Sequence, residues 1–235
     1  MKIVLGTRGS KLALTQSNWV AQQLRKGLQG SQVPQLEVEL KVIKTTGDKF
    51  LGNLEEVGGK GVFVKEIEEA LLSGEIDLAV HSLKDMPAEF PQGLSLIAVP
   101  KREDPRDVFI SYKYKSLDEL PQGATLGTSA PRRKIQMKLL RPDLAIVPVR
   151  GNVDTRLGKL KNGEFDAMVL AAAGMHRLGL HDKINEYLAP EKIIPAIGQG
   201  VLALEARSDN AAVIKVVKQI IHDEDTSNVV AAERA

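Results

Sequence analysis

Asp85 stands beside Lys84 in the run Ala79-Val80-His81-Ser82-Leu83-Lys84-Asp85-Met86-Pro87, where an apolar stretch stops and a proline forbids further helix. A carboxylate at such a turn can protonate a leaving amine, or stay ionised and stabilise a cation that develops next to it. It can equally be a turn aspartate that accepts backbone hydrogen bonds or pairs with Lys84. Surrounding cations would lower its pKa and favour the ionised role, whereas burial would raise it.

The cations are at hand. Four basic motifs fall where a strand pattern gives way to a helix pattern. In Gly6-Thr7-Arg8-Gly9-Ser10-Lys11, Ser10 can cap the coming helix, with Arg8 directed at the same spot. In Gly127-Thr128-Ser129-Ala130-Pro131-Arg132-Arg133, Ser129 is an N-cap candidate and Pro131 suits the first turn. Arg150-Gly151-Asn152-Val153-Asp154-Thr155-Arg156 repeats the arrangement with Asn152 as cap, and Ala172-Ala173-Gly174-Met175-His176-Arg177 is a shorter version. Free amides at a helix start attract anions, and arginine adds bidentate recognition of carboxylate or phosphate. Any one arginine taken alone reads as a solvated charge or an internal ion pair. Four recurrences favour a shared anion site, because in open α/β sheets the carboxyl ends of the strands lie along one edge. One acid among many fixed cations points to a small substrate rich in carboxylate or phosphate groups.

Gly47, Gly52, Gly58, Gly59 and Gly61 punctuate a polar segment that carries Lys49 and Lys60. It reads either as an ordinary loop or as a mobile lid from which Lys60 reaches the substrate.

Elements that could position these residues alternate along the chain. Ile3 to Leu5, Leu36 to Ile43 and Ile76 to Val80 are predicted strands, separated by helix patterns over Leu12 to Leu28 and Val62 to Leu72. A second series follows: strands at Thr125 to Gly127, Ala145 to Val149 and Ala167 to Leu170, with helices over Arg132 to Leu140 and Val153 to Leu160. Val201 to Glu205 reads as a further strand and Ala211 to Ile221 as a helix. The rhythm predicts an α/β fold with largely parallel pairing. Proline- and glycine-marked segments at Val99 to Pro105 and Ile194 to Gly200 look like two crossings between lobes. The expected domains are therefore 1–99 with 200–222, holding the aspartate and the lid, and 100–199, rich in arginine. Residues 223–235 begin a connection onward, and Asp223-Glu224-Asp225 reads as a solvated helix end. A ligand cleft between two such lobes is the natural site.

Composition narrows the classes. The 235 residues carry 32 Lys/Arg and 30 Asp/Glu. Pro100 to Ile194 holds 17 basic against 12 acidic residues, leaving 15 against 18 elsewhere. The second domain is thus the anion-binding one, yet too mildly basic for nucleic acid. With no cysteine, disulfides, thiolate metal sites and a cysteine nucleophile are excluded. His81, His176, His181 and His222 lack metal-ligand spacing, so no metal is expected and each reads as a core or surface histidine. No signal peptide and no membrane span are read, and a cytoplasmic enzyme or binding protein remains.

The motifs TRGSKLAL (Thr7 to Leu14), GGKGVFVKEIE (Gly58 to Glu68), AVHSLKDMP, GTSAPRR, RGNVDTR, AAAGMHRLGL (Ala171 to Leu180) and PAIGQG (Pro195 to Gly200), in this order, resemble the hydroxymethylbilane synthase (porphobilinogen deaminase) family from the first residues to Ala235. The resemblance implies an enzyme of tetrapyrrole biosynthesis that joins four porphobilinogen units head to tail, releasing ammonia at each step. It implies two lobes like type II periplasmic binding proteins, joined by a two-stranded hinge, and a monomer. By this resemblance Asp85 is catalytic, and Arg8, Ser10, Lys84, Ser129, Arg132, Arg133, Arg150, Arg156 and Arg177 bind the carboxylates of cofactor or substrate. Lys60 matches a lysine of the active-site loop, and Glu56 stands where family members often carry lysine. The family holds a dipyrromethane cofactor by a thioether to a cysteine in a third domain, after a segment like Ala232-Glu233-Arg234-Ala235. The sequence stops there without any cysteine. The expectation is of domains 1 and 2 alone, unable to attach the cofactor covalently and with little or no synthase activity unless the third domain joins as a separate chain. The competing expectation is a two-lobed module that binds a small polycarboxylate or other anion without chemistry.

Overall fold

The computed structural model describes residues 1–27, 36–46 and 64–235. The chain forms two compact units, Met1–Arg102 with Val201–Ala235, and Glu103–Gly200, and so passes between them twice.

In unit 1, strands β1 (Lys2–Thr7), β2 (Glu37–Val42), β3 (Leu78–Ser82), β4 (Leu94–Ala98) and β10 (Leu202–Arg207), numbered in chain order, make one sheet in the order β2-β1-β3-β10-β4. β1 pairs parallel with β2 and β3, while β10 runs antiparallel to β3 and β4. Alternate side chains of a strand face opposite sides, and both sides are covered. Ile3, Leu5, Leu78 and Val80 pack with Val20 and Leu24 of helix α1 (Lys11–Gly27) and with Val213, Val217 and Ile221 of helix α6 (Ala211–Ile221). Val4 and Ala79 meet Ile67 and Leu71 of helix α2 (Lys65–Leu72) on the other side. α6 buries a stripe at four-residue spacing and starts at Asn210, whose side chain accepts the Val213 N–H. Each such buried aliphatic side chain contributes about 1.5–3 kcal/mol.

Asp223-Glu224-Asp225 opens a helix, α7 (Glu224–Arg234), with the Asp223 carboxylate accepting the Thr226 N–H at 2.8 Å. Carboxylates suit that end of the helix dipole. α7 packs Val230 against Leu83, Met86 and Val201, and Arg234 donates to the carbonyls of Pro87 and Ala88.

Unit 2 repeats the pattern. Strands β5 (Asp107–Ile110), β6 (Thr125–Gly127), β7 (Ala145–Val147), β8 (Ala167–Ala171) and β9 (Glu186–Leu188) lie in the order β7-β6-β8-β5-β9. β6 is parallel to β7 and β8, and β5 is antiparallel to β8 and β9. Phe109, Leu126 and Val169 face Met137 of helix α3 (Pro131–Leu140), whereas Val108, Ile110, Met168 and Leu170 face Leu157 and Leu160 of helix α4 (Val153–Lys161) and Met175 of helix α5 (Ala172–Arg177).

The expectation of largely parallel pairing is therefore corrected. In each sheet the strand that follows a crossing, β10 or β5, inserts antiparallel, so the sheets are mixed.

Candidate active site

Each sheet gathers the predicted residues along one edge. In unit 1 the parallel strands β1, β2 and β3 end there, and β10 starts there, with Leu202 opposite Ser82. Past the end of β1, Arg8 is half-buried, and Ser10 caps α1 by accepting the Ala13 N–H at 3.3 Å. Past β3, Leu83–Asp85 form a single 3-10 turn. The Leu83 N–H donates to Val201 O and the Met86 N–H to Leu83 O, both at 3.0 Å. Leu83 and Met86 are buried, so the turn is pinned on either side of Lys84 and Asp85, which stay exposed. Pro87 then prevents the turn from growing into a helix that would carry Asp85 away.

In unit 2, β6, β7 and β8 end along the edge where β5 begins, Asp107 lying opposite Ala171. Asp107 is fully buried. Its Oδ1 accepts from Arg133 at 2.7 Å and from Gln199 Nε2 at 2.9 Å, and its Oδ2 accepts from Arg132 at 2.7 Å. Burial pushes this carboxyl up, but the charges and hydrogen bonds of Arg133 and Arg132, with Gln199, outweigh it and hold the pKa below the usual aspartate value. Arg133 is itself buried, and its Nε has no hydrogen-bond partner.

Ser129 does not cap α3. Ala130 occupies that position without a side-chain bond. The Ser129 hydroxyl instead donates to Val149 O at 2.9 Å and accepts the Val149 N–H at 3.0 Å, tying one strand exit to the next. Asn152 occupies the cap position of α4, also without a side-chain bond. Arg156 donates through Nε to Gly151 O at 2.7 Å, across a turn in which Gly151 has φ of 106°. That conformation suits glycine.

Arg177 closes the edge. Its Nη2 donates to Gly200 O at 2.7 Å, and the same carbonyl accepts the Glu103 N–H at 3.2 Å. Loss of solvent around Arg177 pulls its pKa down to about 10, against the opposing charge of Glu103. Glu103 in turn bonds His176 Nδ1 at 3.1 Å, and His176 Nε2 lies 2.8 Å from the Tyr187 hydroxyl.

Arg8, Ser10, Lys84 and Asp85 thus follow strand ends of unit 1, and Ser129, Arg132, Arg133, Arg150, Arg156 and Arg177 follow strand ends of unit 2. Lys60, Glu56 and the glycine-rich segment 47–61 lie outside the described residues. Asp107, Gln199 and Glu103 were not read from the sequence as site residues. The single signal was Gln199, which sits inside the PAIGQG motif.

A sequence model described as "Porphobilinogen deaminase, dipyromethane cofactor binding domain" matches residues 3–215. The chain belongs to the porphobilinogen deaminase family. A relative of that name from Geobacter sulfurreducens is 54% identical over 235 residues, covering 100% of this chain and 72% of the relative. Another from Syntrophomonas wolfei is 53% identical over 221 residues, covering 94% and 71%. The activity of the family is that of a deaminating transferase, hydroxymethylbilane synthase. Two solved structures share the fold: a putative methionine-binding lipoprotein from Bacillus subtilis, with TM-score 0.58, 14% identity and coverage of 97% and 92%, and the methionine-binding protein MetQ, with TM-score 0.56, 17% identity and coverage of 99% and 94%. The type II periplasmic-binding-protein architecture is thereby established for the fold.

The unit 2 edge fits the family's dipyrromethane, a group rich in carboxylates. Arg177 carries a charge that burial disfavours and donates to the Gly200 carbonyl, and Arg133 has an orphaned N–H. A carboxylate ligand would relieve both. With no cysteine among the 235 residues, none of them can form a thioether to it.

Proposed function

We propose that this chain handles porphobilinogen as its family does, joining four units head to tail into hydroxymethylbilane with loss of one ammonia per unit, and that Asp85 is the group at which each amine leaves. The observation that carries this reading is the turn at Leu83–Asp85, which buries its neighbours and leaves a carboxylate presented at the end of a central strand.

A carboxyl group there can donate its proton to the departing aminomethyl nitrogen, which leaves as ammonia, and the carboxylate so formed stabilises the azafulvenium-type cation that the next pyrrole attacks. Lys84 beside it, and Arg8 and Ser10 at the neighbouring strand exit, suit the acetate and propionate of the incoming unit. Arg150, Arg156 and Arg177 are assigned to the carboxylates of the growing chain. Each guanidinium has five N–H donors, so Arg132 and Arg133 keep donors for a ligand while bonding Asp107. Ser129 holds the two strand exits at a fixed spacing. Lys60 joins this set on the family resemblance alone. Dipyrromethane, when bound, supplies the free pyrrole carbon to which the first unit is joined. The working form is taken to be a cytoplasmic monomer.

The test is ammonia release from porphobilinogen by the wild-type chain and by Asp85→Asn, each with and without the family's cofactor-bearing third domain supplied as a separate chain. Release by the first and none by the second, with equal binding of porphobilinogen, supports the assignment. An unchanged rate in Asp85→Asn removes Asp85 from the mechanism. Reversible binding without ammonia, even when the wild-type chain is supplied with the third domain, supports a two-lobed anion-binding module instead.

A further inference from the structure

Beneath the Lys84–Asp85 turn, unit 1 buries three ionisable side chains that the mechanism above does not use. His81 on β3 is 6% exposed, Glu205 on β10 0% and Glu68 on α2 9%. His81 Nε2 lies 3.0 Å from Glu205 Oε2. By strand alternation His81 shares the face of Ala79 and Glu205 that of Ala203, away from the side of the sheet that α1 and α6 cover. Glu68 Oε1 and Glu205 Oε1 are both buried without a hydrogen-bond partner.

The charge count does not close if both acids are ionised. Even with His81 as imidazolium, one negative charge remains unpaired in the core, the costliest kind of burial. Among the described residues of the elements packed on it, none supplies the missing cation. α2 packs on β1, β3, β4 and β10. Arg207 on β10 donates to Leu71 O and faces Asp209, Lys2 on β1 pairs with Glu39, and β4 has no titratable residue. On α2 itself, Lys65 lies near Glu69, and Glu66 accepts from Thr46. A proton on Glu68 closes the count and converts one of the two orphaned acceptors into a donor. Burial raises the Glu68 carboxyl first, the charge of Glu205 raises it further, and His81 opposes them, with a net rise.

We propose that Glu68, His81 and Glu205 form one buried unit that holds two protons, an imidazolium on His81 against the Glu205 carboxylate and a neutral carboxyl on Glu68, and that this unit positions the Lys84–Asp85 turn. The backbone bond from Leu83 to Val201 ties the turn to the start of β10. The His81–Glu205 pair ties the same two strands by their side chains, so the exit of β3 is clamped twice. The positioning half rests on reading Asp85 as the catalytic group. The proton-holding half does not.

The experiment is infrared and hydrogen-exchange spectroscopy on the full chain, with no turnover needed. The carbonyl stretch of a neutral carboxyl, assigned to Glu68 by its loss in Glu68→Gln, should persist at pH values where an ordinary glutamate near 4.5 is ionised. In Glu205→Gln that band should vanish at lower pH, because the Glu205 charge that raises the Glu68 carboxyl outweighs the His81 charge that lowers it, and both are lost. Nitrogen-15 spectra should show both His81 ring nitrogens protonated in the wild type and one in Glu205→Gln. Absence of the band, or a band that Glu205→Gln leaves unmoved, overturns the two-proton unit. For positioning, Glu205→Ala should speed exchange of the Leu83 and Met86 amides about tenfold or more relative to the β1–β2 amides. Glu205→Gln, which keeps a hydrogen bond to neutral His81, should stay within about twofold. Equal acceleration in both variants, or of all amides alike, overturns positioning. If Glu205→Ala does not fold, the Leu83 and Met86 amides of His81→Gln compared with those of Glu205→Gln decide the same point. Failure of Asp85→Asn to stop ammonia release would remove the catalytic reading and leave these spectra as they are.

Discussion

Both units insert an antiparallel strand after a crossing, and in both that strand brings a fully buried carboxylate into the sheet, yet the two acids are treated in opposite ways. Asp107 on β5 meets two guanidinium groups and an amide, more donors than it needs. Glu205 on β10 meets one imidazole, and its charge raises the carboxyl of a second buried acid, Glu68. Unit 2 is oversupplied with positive charge at its edge, which suits a carboxylate ligand. Unit 1 is short of it in its interior, which forces a proton to stay. The same strand order supports both outcomes, so topology places a buried acid while its side-chain neighbours set its charge.

The comparison can be broken first at its strongest point. Arg133→Met removes the buried partner of Asp107 and should cost about 3–5 kcal/mol in equilibrium denaturation, because an under-compensated charge is left in the core. Adding Asp107→Leu to that variant should recover most of the loss. If the single variant is as stable as wild type, the Asp107 cluster is not what holds this edge.

Acid titration sharpens the contrast. The folded-state pKa of Asp107 is depressed, so its contribution is present above the ordinary aspartate value of 3.8 and is lost as pH falls through the folded value. Glu68 is raised, so its contribution is present below 4.5 and is lost as pH rises toward the folded value. Melting curves of Asp107→Asn should therefore lose part of the acid-side destabilisation seen in wild type. Glu68→Gln should gain on wild type as pH climbs above 4.5. Parallel melting profiles for the two variants would erase the distinction between the units.

Smaller effects follow at the exposed edges. Ser129→Ala loses two hydrogen bonds to the Val149 backbone and should cost roughly 0.5–1.5 kcal/mol, with a matching fall in porphobilinogen affinity if strand spacing matters. Arg177→Gln should weaken binding of dipyrromethane by about tenfold in a direct titration, the scale of one charge-assisted bond. Least of all, Asp85→Asn should change stability by less than about 0.5 kcal/mol, since its side chain is exposed, while stopping ammonia release.

Much of the framework was legible in the chain itself. The helix over Ala211–Ile221, the cap at Ser10 and the four strand-to-helix junctions all depend on neighbours within a few residues, and hydrophobic period and capping chemistry reveal such features. β5 and β9 were not. They are four and three residues long, and β5 opens with an aspartate that no alternation rule would bury. Ser129 looked like a cap because capping residues precede helices, but the chain turns so that its hydroxyl meets Val149 first.

Local order thus determined which residues stand at strand ends, that arginines cluster there, and that Asp85 follows an apolar strand into a turn. Only the folded chain decided what each charge faces. His81 meets Glu205 across 124 positions and Gln199 meets Asp107 across 92, through strand registers that no short window contains. A charge buried among such distant partners takes its protonation state from all of them together, so that state is a property of the packed sheet and not of any motif.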